Sequence, residues 1–265
     1  MPRVCGFRRR FTTRWKKSTA RWRPSRKSHP DFAVPSKALQ LKDVIQRLEA
    51  KYGLPQPPVS TDPFELILWE SVAYLATDIE RARAFSALRE RIGTKPGCIS
   101  AASGEELLEV TRQGRGFASQ CAEKLRRADH IALKLFQGNL KKLLRLPLSE
   151  AKKAFQKFPG IGEPGAEKIL LFAHAQPVLA LESNGLRVVR RLGFGEEHKI
   201  YIATYRSVQG AVKDQIVPEC GWLIRAHQVL RRHGQETCRA NRPRCEACPL
   251  SCGCHFFRSE KKAKN

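Results

Sequence analysis

The sequence has no apolar run that approaches the roughly 20 residues needed for a membrane-spanning helix. It also lacks an apolar segment near its N-terminus of the kind that directs secretion. These absences favour a protein of the cytoplasm or nucleoid that does not associate with membranes. Alternating polar and apolar residues, which are typical of strands, are missing as well. The pattern therefore predicts an all-α fold.

Acidic residues are scarce relative to basic ones. Aspartate and glutamate number 25 against 49 lysines and arginines, which gives a formal charge of +24. Such a charge calls for a polyanionic partner. Nucleic acid is the first candidate, although membranes and ribosomes also attract basic proteins.

The strongest concentration of basic residues is at the N-terminus, where the first acidic residue is Asp31. Pro24, Pro30 and Pro35 disfavour a long helix in this segment. We predict that residues 1–36 form a disordered basic arm that lies along DNA phosphates. An organelle transit peptide and an extension without function are the alternatives.

From residue 37 onwards, apolar residues recur with helical spacing. Leu41, Val44, Ile45 and Leu48 share one face of the first segment, and Gly53 is a natural stop. The second segment is apolar nearly all round and is expected to be buried. We predict helices over 37–52, 62–76, 79–92, 103–112, 117–136, 149–158 and 164–173, then from about 186, over 198–216 and over 219–233.

A Gly-x-Gly turn, Gly160-Ile161-Gly162, joins two of these predicted helices. Glycines let backbone amides face outward without a Cβ in the way. Amides at a helix start form an anion site, which here suits a DNA phosphate. The segment therefore predicts a helix–hairpin–helix, with an ordinary interhelical loop as the alternative.

Four cysteines near the C-terminus follow the spacing Cys238-x6-Cys245-x2-Cys248-x5-Cys254. Four thiolates in one short loop can wrap a tetrahedral metal centre, and both zinc and a [4Fe–4S] cluster accept four cysteines. Cys252 is an alternative to Cys254 as the fourth ligand. The remaining cysteines are expected to be plain thiols.

The hairpin and the cysteine loop together resemble the helix–hairpin–helix DNA glycosylase superfamily, in its endonuclease III branch, over residues 37–256. The resemblance implies a [4Fe–4S] cluster of structural role on Cys238, Cys245, Cys248 and Cys254, in a loop whose Arg239 and Arg242 contact the DNA backbone. It implies two helical domains flanking a cleft. Residues 61–181 would form the hairpin domain and 37–60 with 182–256 the cluster domain, followed by a basic tail at 257–265. Proteins of this kind bend double-stranded DNA and flip one nucleotide out of the stack. We expect this chain to do so as a monomer.

The resemblance also locates the catalytic positions, and this chain departs from the family at both. Bifunctional members carry a nucleophilic lysine where this sequence has Pro164, so that route to strand cleavage is closed. Lys168 lies one turn further on and is expected to point away from the site. Glu182 replaces the family's catalytic aspartate, one methylene longer, and would stabilise the sugar cation or activate water. The alternative is that Glu182 only caps the following helix.

Further site residues come from the same comparison with the family. Asn184 and Arg187 continue its pattern after Glu182 and are expected to contact DNA, as are the three hairpin residues. Leu75 stands where the family has a glutamine that fills the gap left by the flipped base, and it would act as an apolar wedge. Tyr74 is expected to stack on the flipped base in the pocket.

Glu70 lies in an otherwise apolar run, where burial should raise the pKa of its carboxyl. Adenine glycosylases use a glutamate near this point to protonate the departing base. The alternative is a buried glutamate satisfied by local hydrogen bonds or a neighbouring arginine.

These inferences converge on a DNA base-excision glycosylase, monofunctional because Pro164 offers no amine. One alternative is a binding module that has kept the fold but lost the chemistry. A glycosylase with lyase activity through another lysine, or a lyase acting only on abasic sites, is the other.

Overall fold

The computed structural model describes residues 39–264, so the basic arm predicted over 1–36 lies outside the described residues. Within that range every regular element is helical, and the all-α prediction is confirmed. The α-helices are α1 (Leu41–Tyr52), α2 (Pro63–Ser71), α3 (Asp78–Arg91), α4 (Cys98–Ala101), α5 (Gly104–Arg112), α6 (Ala118–Phe136), α7 (Leu148–Phe155), α8 (Glu163–Phe172), α9 (Ser183–Leu192), α10 (Tyr201–Val212), α11 (Cys220–Glu236) and α12 (His255–Lys264). None of them is long and apolar enough to cross a membrane.

Local sequence accounts for several helix starts. The Asp62 side chain accepts hydrogen bonds from the amides of Phe64 and Glu65, with Pro63 in the first turn of α2. Thr77 begins α3 through a capping box with Glu80. Each cap satisfies amides that have no partner within the helix, so these boundaries were readable from the sequence.

The second helix is shorter than predicted. It ends at Ser71 rather than near Ala76, and the chain then turns through Leu75, whose φ is +51°. A left-handed residue cannot continue a helix, so residues 72–77 form a turn before α3, in which Val72 and Ala73 are buried whereas Tyr74 and Leu75 are exposed. Two elements were not predicted as helices, namely α4 and the basic tail, which forms α12. Phe256 and Phe257 anchor the tail by packing against the core beside the cysteine loop.

Two hydrophobic cores lie on either side of α8. The first is built from side chains between Phe64 and Leu170, and the second from α1 together with side chains between Leu171 and Cys254. Leu170 and Leu171, consecutive in α8, therefore face different cores. The hairpin belongs to the first core and the cysteine loop to the second.

A buried polar cluster links the helices between these cores. Glu167 of α8 is almost fully buried and accepts hydrogen bonds from Lys152 of α7 at 2.8 Å and from Tyr205 of α10 at 2.5 Å. Gln209 adds a third at 2.7 Å. Burial, reinforced by the Glu167 carboxylate, raises the pKa of the Tyr205 hydroxyl, so it stays a proton donor. Removing one partner would leave a buried charge uncompensated, which is costly. The cluster therefore fixes α8 relative to α10.

Candidate functional site

A cleft of about 980 Å³ opens between the two cores. Its lining includes α2, α3 and α8 on one side and α11 with the start of α9 on the other. The charged and aromatic residues that matter for chemistry are Trp69, Glu70, Asp78, Lys168, Glu182 and Arg231. Carboxylates and cations thus share one partly enclosed space.

Glu182 both caps α9 and lines the cleft. One carboxylate oxygen accepts from the Gly185 amide at 2.7 Å, and the other accepts from the Asn184 side chain at 2.9 Å. Capping is therefore real, but it does not exclude a chemical role. Each carboxylate oxygen has a second lone pair that can still face a sugar or a water.

Glu70 forms an ion pair with Lys168 at 2.5 Å. Burial acts to raise the pKa of the Glu70 carboxyl, but the Lys168 ammonium, with a contribution from Arg81, outweighs burial and the pKa is lowered. The expectation of a raised pKa is therefore wrong. At neutral pH Glu70 is a carboxylate, which is the opposite of what a general acid needs. The alternative interpretation, a glutamate satisfied by neighbouring groups, fits better, with a lysine as its main partner.

The expectation that Lys168 points away from the site is also wrong. Its side chain enters the cleft and meets Glu70 there. A shift of one turn along α8 does not carry the side chain out of the cleft. Residues four apart share a helix face, so Lys168 faces the same way as Pro164. The four-residue spacing between Pro164 and Lys168 therefore predicts, from sequence alone, that Lys168 faces the cleft.

Two further groups of the cleft come from α11. Arg231 makes a two-pronged ion pair with Asp78, at 2.5 and 2.6 Å, which joins α3 to α11. His227 is buried beneath the cleft surface, and its Nδ1 lies 2.6 Å from the carbonyl oxygen of Ala180. Because a carbonyl only accepts, this nitrogen carries the proton and Nε2 is an acceptor. Burial, followed by the charge of Lys168, lowers the pKa of His227 to about 4. The imidazole is therefore neutral at pH 7.

Leu75 occupies the exposed turn before α3 and has 77% of its surface accessible. An apolar side chain held out in this way suits the predicted wedge. Tyr74 is a correction, because it does not line the cleft. It packs edge-on against Phe117, with ring centroids 5.3 Å apart, and beneath the ammonium of Lys124. The aromatic side chains of the cleft are instead Trp69, Phe85 and Phe172.

The hairpin forms as predicted between α7 and α8. Gly160 has φ +79°, which glycine adopts without strain, and Gly162 is the N-cap of α8. Ile161 is buried and fastens the turn to the first core. The ammonium of Lys124 lies 3.9 Å from the point where a Cβ on Gly160 would stand. Lys124 thus adds positive charge to the helix start, and no motif identified it beforehand.

Arg187 and Asn184 are engaged within the protein. The Arg187 guanidinium donates to the carbonyls of Cys238 and Gly234 and to the side chain of Asn184. Asn184 also bonds Glu182, so these residues connect the carboxylate to the start of the cysteine loop. Their predicted contact with DNA stays a prediction.

The four spaced cysteines are neighbours in the loop that follows α11. Cys238 and Cys254 both approach Arg191, their sulfurs lying 3.4 Å from its guanidinium and its carbonyl oxygen respectively. Burial, and then the proximity of the other three thiols, raises the pKa of Cys248 to about 11. Within residues 39–264 no three cysteine, histidine or acidic side chains converge closely enough to hold one metal ion.

The outer residues of this loop differ in exposure. Cys252 is exposed and lies against Arg47, at 3.4 Å, whereas Cys254 is buried. Arg239 and Arg242 are exposed and free of the core, as a contact with a DNA backbone requires. The two candidates for the fourth ligand, Cys252 and Cys254, therefore differ in their exposure to solvent.

Comparisons with known proteins agree with this geometry, although no family model matches the chain. The endonuclease III of Rickettsia prowazekii (strain Madrid E) is 27% identical over 198 residues, covering 73% of this chain and 84% of that protein. The endonuclease III of Thermotoga maritima is 26% identical over 211 residues, covering 79% and 91%. A structure of a trapped endonuclease III–DNA covalent intermediate matches with a TM-score of 0.65 at 22% identity, covering 84% of this chain and 99% of that one. The fold is shared across nearly the whole of that structure.

Proposed function

Since the chain belongs to the helix–hairpin–helix DNA glycosylase superfamily, in the endonuclease III family, we propose that it hydrolyses the N-glycosidic bond of a flipped-out base. The observation that carries the proposal is Glu182, a carboxylate that lines the cleft between the two cores while two local donors hold it in place. The enzyme releases the base without using an amine nucleophile.

Binding begins with the backbone of double-stranded DNA. The amides at the start of α8, with the ammonium of Lys124 beside Gly160, offer positive charge to one phosphate. Leu75 enters the stack in place of the flipped base. Unstacking costs a few kcal/mol, least at a damaged or mismatched base, so the cost itself selects substrates.

Bond cleavage then depends on the charge that develops on the sugar. As the bond between C1′ and the base nitrogen breaks, the sugar becomes cationic, and the Glu182 carboxylate stabilises it or accepts a proton from the attacking water. The base departs with the bonding electron pair and takes a proton from solvent, while the water oxygen adds at C1′ and its proton is lost to Glu182 or solvent, which leaves an abasic site. Glu70 takes no general-acid role, because Lys168 holds it as a carboxylate.

We further propose that Cys238, Cys245, Cys248 and Cys254 hold a [4Fe–4S] cluster. Their spacing along the chain and the burial of Cys254 support this set over one that includes the exposed Cys252. When bound, the cluster supplies iron–thiolate bonds that tie the loop together. The loop presents Arg239 and Arg242 to the DNA backbone, and Arg187 connects its first cysteine to the residues around Glu182.

A non-catalytic module that binds damaged DNA is the second candidate. It is favoured by Pro164 and by the two local hydrogen bonds that engage both oxygens of Glu182. Under this alternative Glu182 serves only to cap α9.

A panel of duplexes with different damaged and mismatched bases distinguishes the two. Each duplex is incubated with the full chain and then treated with alkali, which cuts the strand wherever a base has been released. We expect alkali-dependent cleavage of at least one duplex. Tight binding across the panel without cleavage would support the module instead.

A further inference from the structure

The start of α8 carries a carboxylate at the place where the hairpin is proposed to receive a phosphate. Glu163 directly follows Gly162 and is the first residue of the helix. Pro164, the next residue, has no amide proton to offer an anion. A negative side chain and a missing donor both weaken the attraction of a helix start for phosphate. The hairpin of this chain therefore calls for positive charge from other elements.

Two cations from other helices meet the Glu163 carboxylate. Lys152 of α7 donates to one of its oxygens at 2.7 Å, and Arg206 of α10 donates to the other through Nε at 3.1 Å and Nη2 at 2.6 Å. Burial acts to raise the pKa of the Glu163 carboxyl, but the hydrogen bonds from these two cations outweigh burial and the pKa is lowered. Glu163 therefore remains a carboxylate at neutral pH.

The two cations differ in their exposure. The Lys152 side chain is 21% exposed and is also bonded to Glu167, whereas the Arg206 side chain is 65% exposed. Among residues 39–264, Nη1 of Arg206 has no hydrogen-bond partner. A guanidinium can bind a carboxylate at one edge and a phosphate at another, because its five N–H groups form a planar fork. Glu163 thus fixes Arg206 beside the helix start and leaves donors of the guanidinium free.

We propose that Arg206 binds a DNA phosphate at the hairpin, and that Glu163 is the positioning residue that holds the guanidinium there. Lys124 approaches the hairpin beside Gly160, and Arg206 approaches it beside Glu163, so α6 and α10 each contribute one cation. The inference rests on the proposed function only in that the hairpin contacts double-stranded DNA. It does not depend on whether the protein releases a base.

A purely neutralising role for Arg206 is the alternative to a phosphate contact. In that case Arg206 affects DNA binding only while residue 163 is a carboxylate. If Arg206 contacts a phosphate, its loss removes that contact whether or not the carboxylate is present. The two roles are therefore separated by substituting Arg206 with and without Glu163. Both substitutions should leave the fold intact, since Arg206 is exposed and Lys152 keeps its bond to Glu167.

The test measures binding of the full chain to one undamaged duplex at several salt concentrations. Arg206→Gln is made in the unaltered chain and in the Glu163→Gln variant. In both backgrounds it should make the slope of log affinity against log salt shallower by about 0.9, the value of one phosphate contact. Arg206→Lys keeps the positive charge and should retain most of the slope. Arg91→Gln is the matched control and should leave the slope unchanged, because Arg91 is similarly exposed and paired with Glu109.

An unchanged slope when Arg206→Gln is added to Glu163→Gln would overturn the inference, because Arg206 would then only neutralise the carboxylate. Lys124→Gln, measured on the same duplex, tests the hairpin contact separately. If Lys124→Gln makes the slope shallower and Arg206→Gln does not, this inference fails and the hairpin contact of the proposed function stands. If neither substitution changes the slope, the hairpin does not bind a phosphate and both fail.

Discussion

The Glu182 carboxylate accepts hydrogen bonds from Gly185 and Asn184 and still borders the cleft. Its side chain is one methylene longer than the family's aspartate, and a displacement near 1 Å can change a rate about a hundredfold. The two local donors restrict where the longer carboxylate can go. At the scale of one residue, the proposed function therefore requires the α9 cap to position these oxygens.

Substituting Glu182→Gln separates capping from chemistry. Glutamine keeps an oxygen for the Gly185 amide, so the cap and the unfolding midpoint should be preserved. It lacks the negative charge, so base release should fall by about 10²–10⁴-fold while DNA binding persists. Single-turnover release on the best duplex of the panel measures the effect. Release at the original rate would show that the carboxylate is only a cap.

His227 should make stability depend on pH between 7 and 5. The pKa of this imidazole falls from an ordinary 6.5 to about 4 in the folded chain, chiefly through burial. In that window the unfolded chain binds a proton that the folded chain does not. Stability is therefore greatest above pH 6.5 and declines as the pH falls, by about 2 kcal/mol between pH 7 and pH 5. Urea midpoints at the two pH values measure the decline.

The matched control for this prediction is His227→Gln, which lacks the titrating ring but can still donate to Ala180. Other titrating groups, including His233, are the same in both proteins. The difference between their pH slopes therefore isolates His227. Equal slopes would mean that folding does not shift the pKa of this ring.

At the scale of elements, Cys252 and Cys254 are close in sequence but differ in exposure within the cysteine loop. Cys254→Ser should remove most of the iron and inorganic sulfide from the purified protein, because it deletes one proposed ligand. Cys252→Ser should retain both, since this exposed side chain lies beside Arg47. Iron and sulfide analysis of the two variants checks the expectation. Loss of iron from Cys252→Ser instead would reverse the assignment of the fourth ligand.

Helix-scale features could be predicted from sequence to different extents. The hairpin and the starts of α2 and α3 have local causes, namely glycines and capping side chains, and the sequence displays these directly. The turn at 72–77 does not, because a leucine with positive φ has no local signature. For that reason Tyr74 was expected in the pocket, whereas it packs on Phe117.

The pairing of Glu70 with Lys168 shows a second limit of sequence. The partners are 98 positions apart, so their encounter depends on how α2 packs against α8. An apolar neighbourhood indicates burial of Glu70, whose side chain is 25% exposed, and it cannot reveal the cation that lowers the pKa. The family's lysine position corresponds to Pro164, whereas the lysine that enters this cleft is Lys168, on the same face of α8.

At the scale of the whole molecule, the two cores and the polar cluster around Glu167 fix the relative positions of the helices that line the cleft. Arg231 and Asp78 join α3 to α11 beside the same space. The hairpin, Leu75 and the cysteine loop lie on different elements, and the proposed function requires one duplex to contact all three. Under the proposed function, the formal charge of +24 supplies attraction to DNA that is independent of base sequence.

That attraction should be divided between the folded part and the basic segment at residues 1–36, whose charge is known from sequence alone. If this segment lies along DNA phosphates, replacing Arg8, Arg9 and Arg10 with glutamine removes up to three phosphate contacts. The slope of log affinity against log salt should then become shallower by up to about 2.7, at roughly 0.9 per contact. Binding titrations of the full chain and the triple variant, on one undamaged duplex at several salt concentrations, measure both slopes.

A phosphate-tracking arm predicts weaker binding to every duplex by a similar factor, because phosphate contacts carry no sequence information. Identical slopes would assign the electrostatic attraction to the folded part alone.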